Sequence, residues 1–310
     1  MGKPKKQHYV PQFLLKNFTT GHNSKATVWV LDKRNEKVYE SSVRDVAHEN
    51  QFYEYHGEAG DIEAEELMQK IDSKGAGIIA RIISNCKLPS SDEDRIWLSY
   101  FISAQMFRTP MTRNDMENFR QAIIHKWGPD IRVSPDDPKT VGEYGPQDAK
   151  LSSLMVFRDV PEFAKLLQGK VWILDEASRM LQYVISDNAV SMHNMVERRG
   201  RGNLGLRNDG IEVYMPLSPK LTFHAICPIL ANAALKTPEL SVSFSHALME
   251  GAPMVNAPQN VEFVNSLQVI WAERFVYAKD RSDLDMPLDM LRTNPELKDG
   301  PGVRPKPEGV

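Results

Sequence analysis

Apolar and polar residues alternate near both ends of the chain, a pattern that predicts β-strands. The alternation over residues 26–31 and 37–43 predicts a β-hairpin around a polar turn. A third short strand over residues 51–55 is expected to join this hairpin. Five further strands are predicted at residues 170–174, 181–186, 211–218, 221–226 and 275–277. The first two of these five are expected to pair with each other.

The middle of the chain carries apolar residues at helical spacing instead. Helices are predicted over residues 62–85, 92–109, 110–127, 151–167 and 258–272. Ser90 or Ser91 suits the N-cap of the second helix, and Pro110 interrupts the pattern before the third. A short helix is predicted near Pro11, with Phe18 on its buried face. Together these elements predict an α+β fold, with antiparallel strands from both ends of the chain around a central set of long helices.

One domain is predicted over residues 7–279, and both ends are predicted to be disordered tails. Residues 1–6 are basic, and residues 280–310 are rich in proline and poor in apolar residues. Residues 128–147 are rich in proline, glycine and aspartate, which predicts an exposed loop.

Charge and composition narrow the classes of partner. The net charge of the 310 residues is −3, so no overall basic field supports a nucleic-acid partner. Basic clusters at residues 3–6 and 198–201 are expected to be solvated, and contact with the phosphate backbone of a nucleic acid is the alternative. Cys86 and Cys227 lack the spacing of a metal or redox motif, which favours a reducing compartment. The sequence shows no secretory signal and no apolar run of the roughly 18 residues that a membrane span needs, so a cytoplasmic protein without a membrane partner is predicted.

Two polar clusters in the first fifty residues are candidates for a functional site. His8 and Gln12 would face the same way if a helix began before Pro11, with the histidine as an acid, base or ligand and the amide as a substrate contact. Alternatively, His8 anchors the N-terminal segment through a backbone carbonyl group. Glu49 precedes a predicted strand, where its carboxylate could act as a base or a metal ligand. It could equally cap a helix or pair with an arginine.

Gln105 and Arg108 form a third cluster on the apolar face of a predicted helix. Polar groups on such a face must be buried or line a cleft, and buried polar groups need partners. The planar guanidinium group of Arg108 suits a phosphate or carboxylate of a substrate. A structural salt bridge to Glu49, Asp72 or Asp187 is the alternative.

Asp187 and Asn188 form a fourth cluster, directly after a predicted strand. The end of a strand is a rigid position for a catalytic carboxylate and a substrate-binding amide. Both residue types also favour turns for local reasons alone.

Six segments of the chain resemble domain-of-unknown-function family 4238. They are residues 8–12, 49–53, 105–110, 185–188, 216–219 and 265–277. The resemblance covers roughly residues 7–278 and implies a shared fold and site, but little about function, because the family is uncharacterised. The chain has Ala189 where members of the family tend to have proline, and Asp72 where they tend to have a glutamate.

Two hypotheses follow, both with the four clusters meeting in one cleft. In the first, the protein is a metal-dependent hydrolase of a phosphodiester, such as a nuclease. His8, Glu49 and Asp187 would supply the base or the ligands of Mg²⁺ or Mn²⁺. The substrate would be bound by Gln12, Gln105, Arg108 and Asn188. In the second, the protein is a non-catalytic module that binds a small ligand or a protein, and the same polar residues are structural. The sequence has no Walker loop, dinucleotide fingerprint, His-Glu-x-x-His helix or Gly-x-Ser-x-Gly elbow.

Overall fold

The computed structural model describes residues 6–20, 26–57, 60–196 and 204–301, so the basic clusters at residues 3–6 and 198–201 lie largely or wholly outside the described residues. The strands are β1 (Lys6–His8), β2 (Thr27–Asp32), β3 (Lys37–Ser42), β4 (His48–Asn50), β5 (Glu54–Gly57), β6 (Gly60–Glu63), β7 (Val171–Glu176), β8 (Ile185–Ser186), β9 (Ser191–Asn194), β10 (Ile211–Pro216), β11 (Leu221–Ile226), β12 (Pro253–Val255) and β13 (Phe275–Ala278). The helices are α1 (Gln12–Lys16), α2 (Glu65–Asn85), α3 (Asp92–Phe107), α4 (Pro110–Trp127), α5 (Pro146–Met155), α6 (Val160–Gln168), α7 (Pro228–Lys236), α8 (Pro238–Glu250), α9 (Pro258–Trp271) and α10 (Asp285–Thr293).

The strands form mixed and antiparallel sheets, and the predicted α+β fold is confirmed. One sheet has the order β3-β2-β13-β8 and is antiparallel throughout, so it joins strands from both ends of the chain. A second sheet has the order β12-β7-β11-β10-β9, in which β12 runs parallel to β7. The long helices α2, α3 and α4 come between these strands in the chain, as predicted.

Local chemistry explains where the central helices begin and end. The Ser91 hydroxyl accepts a hydrogen bond from the backbone N–H of Asp94, which caps α3. Pro110 occupies the first turn of α4 and separates that helix from α3, where its missing N–H costs little. In α2, a Cβ atom at Gly75 would lie 2.7 Å from the ring of Phe101, so glycine permits the close packing of α2 on α3.

Strand pairing differs from the prediction in two places. Strand β4 pairs with β1, and β5 pairs with β6, so neither joins the β2–β3 hairpin. The long helix α2 begins at Glu65 instead of residue 62, because the residues before it form β6, which pairs with β5. Strands β7 and β8 lie in different sheets, against β11 and β13. Alternation of residues predicts that a strand exists, but its partner is decided by contacts far apart in the chain.

The prediction of disorder after residue 279 is wrong for the described part of that segment. Residues 281–299 form two 3₁₀ turns around α10. Leu284 and Leu291 are buried there against Val269 and Val276. A few well-spaced leucines are sufficient to dock a short helix, even in a proline-rich stretch. No helix among the described residues has the length and apolar character of a membrane span.

The N-terminal segment is part of the main core. Val10, Leu14 and Phe18 are fully buried in the same apolar cluster as residues of α2, α3, β10 and β11. Gln7 donates to the carboxylate of Glu54 and accepts from the backbone N–H of Tyr53. These contacts fix β1 and the segment that follows it, and they bring Tyr9 to the edge of a polar cavity.

Candidate functional site

A polar cavity of about 410 Å³ lies where the N-terminal segment, the start of α4 and the turn between α9 and β13 meet. We call it the arginine cleft, because guanidinium groups from three separate segments line it. Its lining residues are Tyr9, Arg34, His48, Glu49, Pro110, Arg113, Asn114, Asp187, Glu273, Arg274 and Phe275.

Asp187 holds the turn that carries two charged residues of the cleft. Its buried carboxylate accepts hydrogen bonds from the backbone N–H groups of Glu273, Arg274 and Phe275, at 2.8, 2.7 and 2.8 Å. Burial raises the pKa of Asp187 to about 6, against the effect of these three donors. With its acceptor sites occupied by the backbone, Asp187 orients the turn.

Arg274 is fixed by a bidentate ion pair. Its Nε and one terminal nitrogen donate to the carboxylate of Asp32, at 3.0 and 2.7 Å, and its guanidinium group lies 4.7 Å from the ring centre of Phe275. Burial would raise the pKa of Asp32, but the hydrogen bonds from Arg274 hold it below its ordinary value. The guanidinium group is therefore presented to the cleft in one orientation.

Arg113 is fixed in a similar way on the opposite wall. It donates to Glu49 at 2.8 Å and to the carbonyl oxygen of Phe52 at 3.4 Å, and it lies 4.6 Å from the centre of the Phe52 ring. Its buried Nε has no hydrogen-bond partner among the described residues. Arg113 thus retains an unused donor after its ion pair has formed.

The third arginine is more exposed. Arg34 lies 3.6 Å from the carboxylate of Glu273, and about half of its side chain is exposed. Asn114 donates to the same carboxylate at 2.8 Å. The cleft therefore alternates cationic and anionic groups.

Two residues with aromatic rings, Tyr9 and His48, also line the cleft. Burial raises the pKa of the Tyr9 phenol, so this group stays protonated and can donate a hydrogen bond. Burial, together with the charge of Lys6, lowers the pKa of His48, so its imidazole is neutral at pH 7.

The structure brings some of the predicted site residues together and separates others. Glu49 and Asp187 line the arginine cleft. His8 is not among the lining residues, but its ring centre lies 5.3 Å from that of His48, and burial lowers the pKa of His8 to about 4. His8 belongs to β1 and Gln12 to α1, so the two do not share a helix face, and Gln12 is not among the lining residues.

Gln105 and Arg108 are buried beneath the cleft, where they connect elements of the core. The Gln105 amide donates to the carbonyl oxygen of Tyr9 at 2.9 Å and accepts from Arg108 at 2.8 Å. Arg108 also forms a salt bridge of 2.7 Å with Asp72, as in the structural alternative. The Asn188 amide donates to the carbonyl oxygen of Trp271 at 3.2 Å, which ties the end of β8 to α9.

A metal site made of His8, Glu49 and Asp187 does not fit this geometry. Among the described residues, no group of three or more histidine, cysteine, aspartate or glutamate side chains is placed to hold a metal ion. Glu49 is paired with Arg113, and Asp187 is occupied by backbone N–H groups. Mg²⁺ and Mn²⁺ prefer several oxygen ligands directed at one point, which these residues do not provide.

A second ionic cluster, which the sequence analysis did not identify, lies in the five-stranded sheet. His224 of β11 contacts Asp175 of β7 at 3.0 Å and Glu212 of β10 at 3.2 Å, and all three are more than nine-tenths buried. Its ring stacks on Tyr214 with 4.1 Å between centres. Burial alone would lower the pKa of His224, but the two carboxylates raise it to about 9.

This His224 cluster ties three neighbouring strands together. Because both ring nitrogens face carboxylates, the imidazole is held as a cation and is not a base at neutral pH. The sequence contained one indication of it, since Glu212 and His224 interrupt two otherwise apolar strands.

Comparison with known proteins places the chain in a family. Residues 6–282 match the model of the family described as Protein of unknown function (DUF4238), and the chain therefore belongs to that family. No curated protein matches the chain. No solved structure matches it either.

Proposed function

We propose that the arginine cleft binds a small anionic molecule that also carries hydroxyl or amino groups, such as a phosphorylated sugar or a nucleotide. The observation that carries this proposal is the convergence of Arg34, Arg113 and Arg274 on one cavity of about 410 Å³. A volume of this size suits a small molecule rather than a polymer segment. Guanidinium groups bind phosphate and carboxylate groups through paired hydrogen bonds.

The orientation of two of these arginines supports the proposal. Asp32 and Glu49 hold Arg274 and Arg113 in place, and each guanidinium group also lies against an aromatic ring. Binding a ligand then costs little side-chain entropy, because the arginines are already ordered.

The carboxylates of the cleft favour a ligand that carries hydrogen-bond donors as well as an anionic group. Glu49 is about two-fifths exposed after pairing with Arg113, and it can accept hydrogen bonds from hydroxyl or amino groups. Glu273 makes the turn side of the cleft anionic. A bare polyanion would be repelled by both carboxylates. A sugar phosphate or nucleotide instead has a phosphate for the arginines and hydroxyl or amino groups for the carboxylates.

Metal-dependent hydrolysis of a phosphodiester is the alternative function. It shares the arginine contacts with the phosphate, but it needs a metal site for which the described residues offer no suitable group. In the proposed function, binding takes place without a metal ion. A hydrolase would instead require added Mg²⁺ or Mn²⁺ for turnover, with Glu49 as the base.

Calorimetric titration of AMP and ribose 5-phosphate into the protein tests the proposal. We expect binding in the presence of EDTA and an affinity loss of about 10- to 100-fold in Arg113→Gln, since a charge-assisted hydrogen bond is worth about 1.5–3 kcal/mol. The matched control is Arg120→Gln, which removes a part-buried arginine paired with Glu117 outside the cleft. Equal losses in both variants would contradict the proposal. Metal-dependent cleavage of a phosphodiester that Glu49→Gln abolishes would establish the alternative.

A further inference from the structure

A second cavity, of about 620 Å³, lies away from the arginine cleft between α4, the loop after it and α5. We call it the α4 groove. Its floor is apolar and includes two methionines, and its main apolar residues are Met116, Phe119, Ile123, Leu151, Met155 and Val156. Methionine side chains adapt to partners of different shape, which makes such a floor suitable for docking.

One face of α4 is apolar and partly exposed within the described part of the chain. Met116, Phe119, Ile123 and Trp127 recur at the spacing of a single helix face, and Phe119 and Trp127 are 55% and 59% exposed. Thr112, at 7% exposure, is the one buried residue of α4. An apolar helix face this exposed is typical of a surface that contacts another helix.

The rim of the α4 groove is acidic. Asp137, Asp148 and Asp159 line it, and Arg120 is the one cationic side chain among the described residues of the lining. Arg120 is itself paired with Glu117. The Tyr144 hydroxyl donates to Asp137 and holds the pKa of that carboxyl below its ordinary value. Lys139 lies 3.5 Å from Asp148 in a part-buried ion pair, which offsets part of the charge of that carboxylate.

We propose that the α4 groove docks an amphipathic helix of a partner protein whose apolar face is flanked by lysine or arginine. The apolar face of such a helix would pack on Phe119 and Ile123, and its cationic side chains would meet the three aspartates. A second copy of this chain is the weaker occupant, because two α4 grooves face to face would bring two acidic rims together. This inference does not depend on the proposed function of the arginine cleft.

Fluorescence anisotropy with a labelled 14-residue helical peptide of leucine and lysine tests this proposal. A peptide of the same length with glutamate in place of lysine serves as the control of reversed charge. We expect the lysine peptide to bind, with a loss of affinity of about tenfold in Phe119→Ser and a smaller loss in Asp159→Asn. Val242→Ser is the control variant, because Val242 is an exposed apolar residue on α8, and it should leave binding unchanged. Circular dichroism establishes that each variant is folded.

Four results would overturn the docking proposal. Equal binding to the Phe119→Ser and Val242→Ser variants would show non-specific attraction, and tighter binding of the glutamate peptide would refute the role of the acidic rim. Sedimentation that shows a dimer dissolved by Phe119→Ser would assign the groove to a second copy. Binding of a small apolar dye in the groove, with no peptide binding, would assign it to a small molecule.

Discussion

Replacing His224 by leucine should destabilise the protein in a way that depends on pH. The imidazolium group lies between Asp175 and Glu212, and the substitution leaves these two carboxylates facing each other in a buried site. The pKa of His224 rises from 6.5 to about 9 in the folded protein. One pKa unit corresponds to about 1.4 kcal/mol, so protonated His224 contributes about 3 kcal/mol to the free energy of unfolding.

The raised pKa fixes the sign of the pH dependence. A folded-state pKa above the unfolded value means that this stability is fully present below pH 6.5 and is lost as pH rises through about 9. Urea denaturation at pH 6 and pH 9.5 measures it. The wild-type protein should lose about 3 kcal/mol more between these pH values than His224→Leu, with the exposed His246→Leu as a control that behaves like the wild type. Parallel pH profiles for the wild type and His224→Leu would refute the reasoning.

Two further predictions concern the turn of the arginine cleft and the C-terminal helix. Asp187→Ala leaves three N–H groups of the turn, one buried and two part-buried, without their acceptor, and it should lower the free energy of unfolding by about 3 kcal/mol, with a smaller loss in Asp187→Asn. Denaturant unfolding measures both losses, and an unchanged midpoint would refute the structural role of Asp187. Removing residues 281–310 strips away the buried Leu284 and Leu291 and should cost several kcal/mol, at about 2 kcal/mol for each leucine. Leu291→Ala should give an intermediate loss, and the same denaturant unfolding assay measures both variants. A truncated protein as stable as the full chain would show that α10 does not support the fold.

Local features of the sequence predicted much of the fold. Ser91 as an N-cap, the interruption at Pro110 and the β2–β3 hairpin depend on neighbouring residues, and the structure has all three. Strand partners do not depend on neighbours: β8 pairs with β13, about ninety residues further along the chain. No element was predicted over residues 228–250, where α7 and α8 expose most of their residues and so show little amphipathic periodicity.

The candidate site, too, could be predicted only in part from the sequence. Glu49 and Asp187 were identified as candidates from their positions beside predicted strands, and both line the arginine cleft. The arginines themselves come from a turn, a helix and a second turn, so nothing in their spacing indicated that Arg34, Arg113 and Arg274 meet. Their meeting could not be predicted, because pairing across long distances in the chain leaves no local pattern.

Binding of a nucleotide to the wild-type protein tests the central claim most directly. Calorimetry in EDTA at pH 7.5 should detect AMP in the arginine cleft at an affinity at least tenfold higher than that of adenosine, which lacks the phosphate. The difference should shrink with added salt, because the three guanidinium groups act through charge. Equal affinities for AMP and adenosine, or binding of neither AMP nor ribose 5-phosphate, would contradict the claim that the cleft binds a small anionic molecule.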